Sequence, residues 1–202
     1  MNGGTKRPVT SSGEDALLIK AFQSGDKRAF DQLVIRHKDR IFNLCYRFLG
    51  DYEEANDSAQ ETFVKAYSSL STFRLESAFS TWLYRIAVNT CKNKLGSSAY
   101  KAKRKMVSLD NPGNPSDGPF PMEIPNGAPS PLARMEEKER MVLVQRALDT
   151  LPTEFKVVVT LRDVEGLPYE DIAEITGLNL GTVKSRLARA RTDLRNRLRG
   201  VL

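Results

Sequence analysis

The sequence has almost none of the residues that staple or metallate a fold. In 202 residues it holds two cysteines, Cys45 and Cys91, and one histidine, His37. Neither cysteine belongs to a CxxC pair, which argues against a disulfide scaffold and a zinc ribbon. Two thiols within helical patterns fit a reduced, cytosolic protein, and a redox role for the pair stays open. His37 lies in the apolar register of its helix without a Cys/His cluster, so a core or boundary histidine is expected, with no metal and no cofactor. No apolar run is long enough to span a bilayer. The start, Met1-Asn2-Gly3-Gly4-Thr5-Lys6-Arg7, lacks the apolar core of a secretion signal. The expectation is a cytoplasmic protein with no direct membrane insertion.

Charge of one sign is missing locally. Residues 51–61 carry five acids and no base, whereas residues 184–199 carry seven bases and a single acid, Asp193. A formal charge of +6 favours a polyanionic partner. Faces of opposite sign imply two kinds of partner. Aliphatic residues are scarce in residues 111–131, which hold seven of the ten prolines and three glycines. That composition reads as an extended linker. The predicted fold is all-α: a tail over 1–13, a helical domain over 14–97, a linker over 98–132 and a second helical domain over 133–202.

The N-terminal domain reads as four helices. Leu17, Leu18, Ala21 and Phe22 are the expected packed side of the first, which Ser24-Gly25-Asp26 ends. The second runs to about Leu49 on Phe30, Leu33, Val34, Ile41, Leu44, Cys45 and Phe48, and Gly50 stops it. Asp51 and Glu54 have capping-box spacing for the third. That helix sets Asp57, Gln60 and Glu61 on a polar face and Phe63, Val64, Tyr67 and Leu70 on an apolar one. A loop over 71–77 presents Phe73 and Arg74. The fourth helix starts near Ala78 and buries Phe79, Trp82, Leu83, Ile86, Ala87 and Thr90, while Thr81, Arg85, Asn89 and Lys92 make a separate polar stripe.

The C-terminal domain opens with a helix expected over about 133–149. Pro152 starts another, with Phe155, Val158, Val159 and Leu161 as its packed residues; its valine run makes a strand the competing local reading. Residues 167–191 then read as a helix-turn-helix. Gly177 supplies the positive φ of a sharp turn and Asn179 caps the next helix. Leu180, Val183, Leu187, Ala190, Leu194 and Leu198 form its inward stripe. Lys184, Ser185, Arg186, Arg189 and Arg191 face outward, which suits a major groove. An ordinary solvated amphipathic helix is the competing reading.

Two stretches resemble a known family. Asp57-Ser58-Ala59-Gln60-Glu61-Thr62-Phe63-Val64-Lys65-Ala66-Tyr67, Phe73-Arg74 and Phe79-Ser80-Thr81-Trp82-Leu83-Tyr84-Arg85-Ile86-Ala87-Val88-Asn89 look like the promoter-melting domain of bacterial sigma factors. Leu151-Pro152, Leu161-Arg162, Gly166-Leu167-Pro168-Tyr169-Glu170-Asp171-Ile172-Ala173 and Gly181-Thr182-Val183-Lys184-Ser185-Arg186 resemble the sigma domain that reads the −35 element. Two such domains and a linker match the extracytoplasmic-function (ECF) group.

The resemblance implies a dissociable specificity subunit of RNA polymerase, not an enzyme. Asp57, Gln60 and Glu61 would dock on the clamp helices of the largest polymerase subunit, with the flap of the second-largest subunit as a further contact. Phe73, Arg74, Trp82, Tyr84, Arg85, Asn89 and Lys92 would capture the −10 element. Stacking an unpaired base on an aromatic ring returns about 1–3 kcal/mol, against about 1.4 kcal/mol to break a base step. Arg162, Tyr169, Thr182, Lys184, Ser185, Arg186, Ala188 and Arg189 would meet the −35 element. An anti-sigma factor is implied as the partner that holds the chain inactive until a stress signal. Two other classes remain: a free-standing helix-turn-helix regulator, which leaves residues 73–89 without a task, and a DNA recombinase, for which no catalytic constellation is present.

Overall fold

The computed structural model describes residues 10–102 and 142–199. Among the described residues every regular element is helical. Helix α1 (Thr10–Gln23) already includes residues 10–13, inside the segment expected to be a tail. Its packing departs from the sequence reading. Leu17 is 69% exposed, while Ile19 is fully buried. The reason is a buried polar partner. Asp15 faces α2 (Arg28–Leu49), where its Oδ2 lies 3.0 Å from His37 Nε2. Ile19 and Phe22 follow Asp15 on that face, four and seven residues on, and Leu17 falls opposite. His37 is buried and also meets the Phe79 ring edge-on at 5.2 Å.

Gly50, at φ 73°, ends α2 and donates its N–H to Tyr46 O at 2.8 Å. Asp51 then caps α3 (Tyr52–Leu70), accepting from Glu54 N at 2.9 Å. The buried face of α3 is built from small residues, Ala55, Ser58, Ala59, Thr62 and Ala66, with Leu70 at its end. Short side chains let α3 approach α2 and α4 (Phe79–Gly96) closely. The apolar face expected of α3 is therefore partly solvent-facing: Val64 is exposed, and Tyr67 is half covered by edge-on contacts with Phe22 and Phe30. Leu33, Ile41, Leu44, Phe48, Leu70, Leu83 and Val88 fill the core between these helices. Each such residue contributes about 1.5–3 kcal/mol by leaving water.

In the C-terminal unit residues 142–149 are helical (α5); the earlier part of the expected helix lies outside the described residues. Pro152 precedes α6 (Thr153–Val159), so the valine run is helical and not a strand. Val157, Val158 and Val159 are all buried because α6 packs against both α2 and α8 (Leu180–Leu198). A π-type segment, Thr160–Val164, extends α6, with Glu165 N–H donating to Thr160 O at 3.0 Å. Gly166 (φ 70°) turns the chain into α7 (Tyr169–Thr176), and Gly177 (φ 70°) ends that helix. Asn179 Oδ1 caps α8 through Thr182 N at 2.8 Å. Val183, Leu187 and Ala190 of α8 are buried, and Leu194 packs against the core from its edge. Leu180, read as part of that stripe, is 40% exposed: it is the first residue of the helix, and its neighbours on the capping turn, Asn179 and Gly181, are exposed too.

The two units touch along two seams. At the first, the C-terminal end of α2 receives donors from the other unit. Buried Lys156 donates to Phe48 O at 3.0 Å and pairs with Asp149 Oδ1 at 2.6 Å, and Gln145 Nε2 donates to Arg47 O at 3.2 Å. Helix-end carbonyls lack intrahelical donors, so these bonds satisfy them. A Cβ at Gly50 would also stand 3.0 Å from Asp149 Oδ2, so that carboxylate would have to shift by a few tenths of an ångström. At the second seam α7 packs on α4, and Tyr84 Oη donates to Glu165 Oε2 at 2.9 Å.

Candidate nucleic-acid interface

The turn after α3 and the first turns of α4 enclose a cleft of about 440 Å3. Phe73, Arg74, Trp82 and Arg85 line it, with Ser69, Thr72, Glu76 and Ser77. Its wall is aromatic by construction. Phe73 lies 4.8 Å from Trp82, and both lean on Phe79 at 6.2 and 5.7 Å. Gln23 fixes the turn from outside, donating to Leu70 O at 3.0 Å and Phe73 O at 2.8 Å. Trp82 is 8% exposed, so it supports the wall while Phe73, only half-buried, presents a ring. Arg74, Arg85 and Asn89 are exposed. The arrangement suits a flat, unpaired base beside a phosphate: a π-face for stacking and guanidinium groups for charge.

Two other residues assigned to this surface are differently engaged. Tyr84 is buried and bonded to Glu165. Lys92 is half-buried, and burial, followed by the nearby Arg186 guanidinium, lowers its pKa from the usual lysine value. Lys92 of α4 and Arg186 of α8 therefore sit within each other's field.

Asp57, Gln60 and Glu61 are exposed along one face of α3. Glu61 pairs with Lys65 at 2.6 Å, and Asp57 stands 3.8 Å from Lys94, whose main partner is Glu54 at 2.6 Å. The face is thus acidic with neighbouring lysines, not a bare anionic strip.

On the helix-turn-helix, Lys184, Ser185, Ala188 and Arg189 are exposed, while Thr182 and Arg186 are half-buried. Arg186 pairs with Glu154 at 2.9 Å. Tyr169 is the centre of a cationic cluster. Arg162 stacks over its ring at 4.7 Å and Lys184 approaches at 5.8 Å. Arg162 also donates to Leu167 O at 2.7 Å, which fixes the guanidinium beside the turn. Arg191, read with the outward face, is held by Asp163 through Nε at 3.0 Å and Nη2 at 2.5 Å. That bond, more than any field effect, raises the Arg191 pKa.

Sequence reasoning missed Glu154, Asp163, Glu165 and Glu174. The first three pair with Arg186, Arg191 and Tyr84, and Glu174 of α7 lines the aromatic cleft. Glu154 and Asp163 sit on a locally readable feature, the helix following Pro152 and its extension. All four meet their partners through contacts between distant segments. Among the described residues no group of His, Cys, Asp and Glu is placed to hold a metal ion, and no helix is long and apolar enough to cross a membrane.

Comparison with known proteins bears on both units. Residues 33–99 match the model of Sigma-70 region 2, and residues 141–194 match that of Sigma-70, region 4. The RNA polymerase sigma-H factor of Pseudomonas aeruginosa is 40% identical over 189 residues, covering 94% of this chain and 96% of the relative. An ECF RNA polymerase sigma-E factor of Haemophilus influenzae is 38% identical, over 93% of this chain and 97% of its own length. Among solved structures, the sigma factor RpoE of Bartonella quintana, in complex with the anti-sigma factor NepR, is similar with a TM-score of 0.58. It is 25% identical over 84% of this chain and 96% of that one.

Proposed function

Since this chain belongs to the ECF group of RNA polymerase sigma factors, we propose that it directs core polymerase to promoters by holding the −35 element on α8 and the −10 element at the aromatic cleft. It acts by binding and carries out no catalysis of its own. The observation that carries the reading is the pairing of two unlike nucleic-acid surfaces in one chain. One is a cleft of rings and guanidinium groups suited to an unpaired base. The other is a basic helix with an apolar back suited to a duplex groove. A free-standing duplex-binding regulator has no use for the first.

On this reading Lys184, Ser185, Arg186, Ala188 and Arg189 meet base edges and Arg162, Thr182 and Tyr169 meet phosphates. Phosphate contacts set register, and base contacts set sequence choice. Phe73 stacks the captured base, Trp82 backs it, and Arg74, Arg85, Asn89 and Lys92 follow the strand. Tyr84 joins them once it leaves Glu165. Binding energy traps breathing DNA as a bubble, so no nucleotide hydrolysis is required. Asp57, Gln60 and Glu61 meet the clamp helices of the largest polymerase subunit, where their charge supplies steering and register, and the region-4 unit meets the flap of the second-largest subunit. An anti-sigma factor holds the chain inactive in the cytoplasm until a stress signal releases it. The complex of RpoE with an anti-sigma factor supports that part by analogy.

Run-off transcription with core polymerase on a genomic promoter library tests the reading. Specific transcripts that depend on the added chain, sharing two spaced motifs upstream, are the expected result. Tight binding to duplex DNA with no polymerase-dependent transcript would overturn it.

A further inference from the structure

We propose that Gln23, the last residue of α1, is a positioning residue for the −10 cleft: its amide holds the turn after α3 so that the Phe73 ring stands ready for a base before any DNA arrives. The proposal rests on reading that cleft as the −10 site.

Three observations converge. First, one side chain grips the backbone on both sides of Phe73. Gln23 Nε2 donates to Leu70 O at 3.0 Å and to Phe73 O at 2.8 Å, across 47 and 50 residues. Both acceptors are carbonyl oxygens, so only the two-donor end of the amide can face them. Phe73 N–H in turn donates to Leu70 O at 3.2 Å. Phe73 is thus tied through its own N–H and its own C=O, which leaves the ring to meet a base. Second, the turn does not hold itself. Leu75 stands at φ 57°, alone among the described non-glycine residues at positive φ. A Cβ makes that backbone unfavourable, and it persists only where the surroundings over-determine it. Two anchors do so. Gln23 holds the chain ahead of Arg74, and beyond it the half-buried Leu75 side chain packs against the core. Third, α1 is a firm base to hold from. Buried Asp15 lies 3.0 Å from His37 Nε2 and 3.3 Å from Arg36 Nε. Phe22, next to Gln23, meets Tyr67 at 5.3 Å and Phe30 at 5.9 Å. His37 also backs Phe79 at 5.2 Å, and Phe79 backs Phe73 at 6.2 Å. Helix α1 therefore reaches the aromatic wall twice, through Gln23 at the turn and through the Asp15–His37 pair behind it.

The gain lies in preorganisation. A site that holds its binding shape only part of the time loses affinity by that fraction. Two hydrogen bonds of ordinary worth shift such an equilibrium by roughly tenfold. Without Gln23 the strained turn relaxes, Phe73 leaves Trp82, and each captured base must first rebuild the wall.

The test uses the full chain with Gln23→Ala, Gln23→Glu, Phe73→Ala and Gln23→Ala/Phe73→Ala. Gln23→Glu keeps the length of the side chain but sets a carboxylate against two carbonyl oxygens. The first readout needs no DNA. Trp82 is the sequence's single tryptophan and its ring lies 4.8 Å from that of Phe73, so acrylamide quenching of its emission reports whether Phe73 stays in place. Quenching should be stronger in both Gln23 variants, and unchanged quenching overturns the proposal. The second readout is permanganate reactivity of open complexes formed with core polymerase at a promoter recovered by run-off transcription. Gln23→Ala should lower it by up to about tenfold, with closed-complex affinity little changed. The double variant should be no worse than Phe73→Ala alone, because with the ring gone nothing is left to position. Losses that multiply mean that Gln23 only stabilises the fold, and they overturn the positioning role. So does a Gln23→Ala chain that melts normally while Phe73→Ala does not. If Phe73→Ala itself leaves open complexes intact, the −10 reading fails and takes the proposal with it. Far-UV circular dichroism verifies folding; if Gln23→Glu does not fold, Gln23→Ala carries the test, since Gln23 is exposed and its truncation leaves the core intact.

Discussion

The N-terminal unit and the helix-turn-helix unit solve the same problem, holding nucleic acid, with opposite materials. In the first, aromatic rings are abundant and form three clusters, Phe22–Phe30–Tyr67, Phe73–Phe79–Trp82 and Phe42–Tyr46–Tyr52. The second of these clusters doubles as the wall of a cleft. In the described part of the C-terminal unit the only rings are Phe155 and Tyr169, and Tyr169 is occupied by cations. That unit has a thin aliphatic core and a projecting charged helix. A concave aromatic site needs a deep core behind it to keep the rings in place. A convex basic site needs only one stiff helix, because the groove supplies the concavity. The comparison predicts that the two units differ in how they fail.

The largest effect should come from the thin core. Ile172 is fully buried, and Ile172→Ala should cost about 2–5 kcal/mol. Hydrogen exchange is expected to show α7 and α8 losing protection while α2 and α3 keep theirs. Equal loss in both units would mean that they fold as one.

Next are the two binding surfaces. Phe73→Ala removes one stacking ring, about 1–3 kcal/mol. Permanganate reactivity of the bubble should fall by roughly tenfold or more, with closed-complex affinity little changed. Arg186→Ala should remove about 1–3 kcal/mol of discrimination at one −35 base and leave affinity for core polymerase intact. Equal losses of open and closed complexes from Phe73→Ala would erase the division of labour.

Smaller effects should come from the caps. Asn179→Ala and Asp51→Ala each remove a side-chain acceptor from a helix start, at about 0.5–2 kcal/mol. Urea titration should show both losses of stability, and DNA-binding titrations should show the Asn179 change as the more damaging, because the proposed groove contacts lie on α8. The smallest change concerns the thiols. The hydrogen bond that the Cys45 thiol makes to Cys91, and then burial, push the Cys45 pKa well above the ordinary thiol range. Thiolate is therefore scarce at a pH where free cysteine reacts. Iodoacetamide labelling of Cys45 should stay slow in the folded chain until the pH passes that range, and become rapid in urea.

What could be read in the sequence was what is decided within a few residues. Gly50 and Gly177 do turn the chain at positive φ, and Asp51 and Asn179 do cap. The residues of the cleft were legible as a group because Phe73, Trp82 and Arg85 fall close together along the chain. Contacts across 81 to 108 residues, such as Tyr84–Glu165 and Lys156–Phe48, left no local trace. Lysine is almost never fully buried unless paired, and nothing in the local sequence marks Lys156 as such a case. Leu17 was misread because a buried Asp15, paired with His37, took the place that an apolar residue would ordinarily hold.

The π-type segment Thr160–Val164 acts as a phase setter for the chain beyond it. An α-helix advances about 100° per residue. Removing one residue here would let the segment re-form as plain α-helix, and the molecule would register the deletion as a rotation, not as a shortening. Arg162 would keep its bearing, but Glu165 would swing away from Tyr84, and the exit of the chain towards Tyr169 would turn with it. Substitutions can be absorbed along this stretch; a change of length would put the two DNA surfaces out of step.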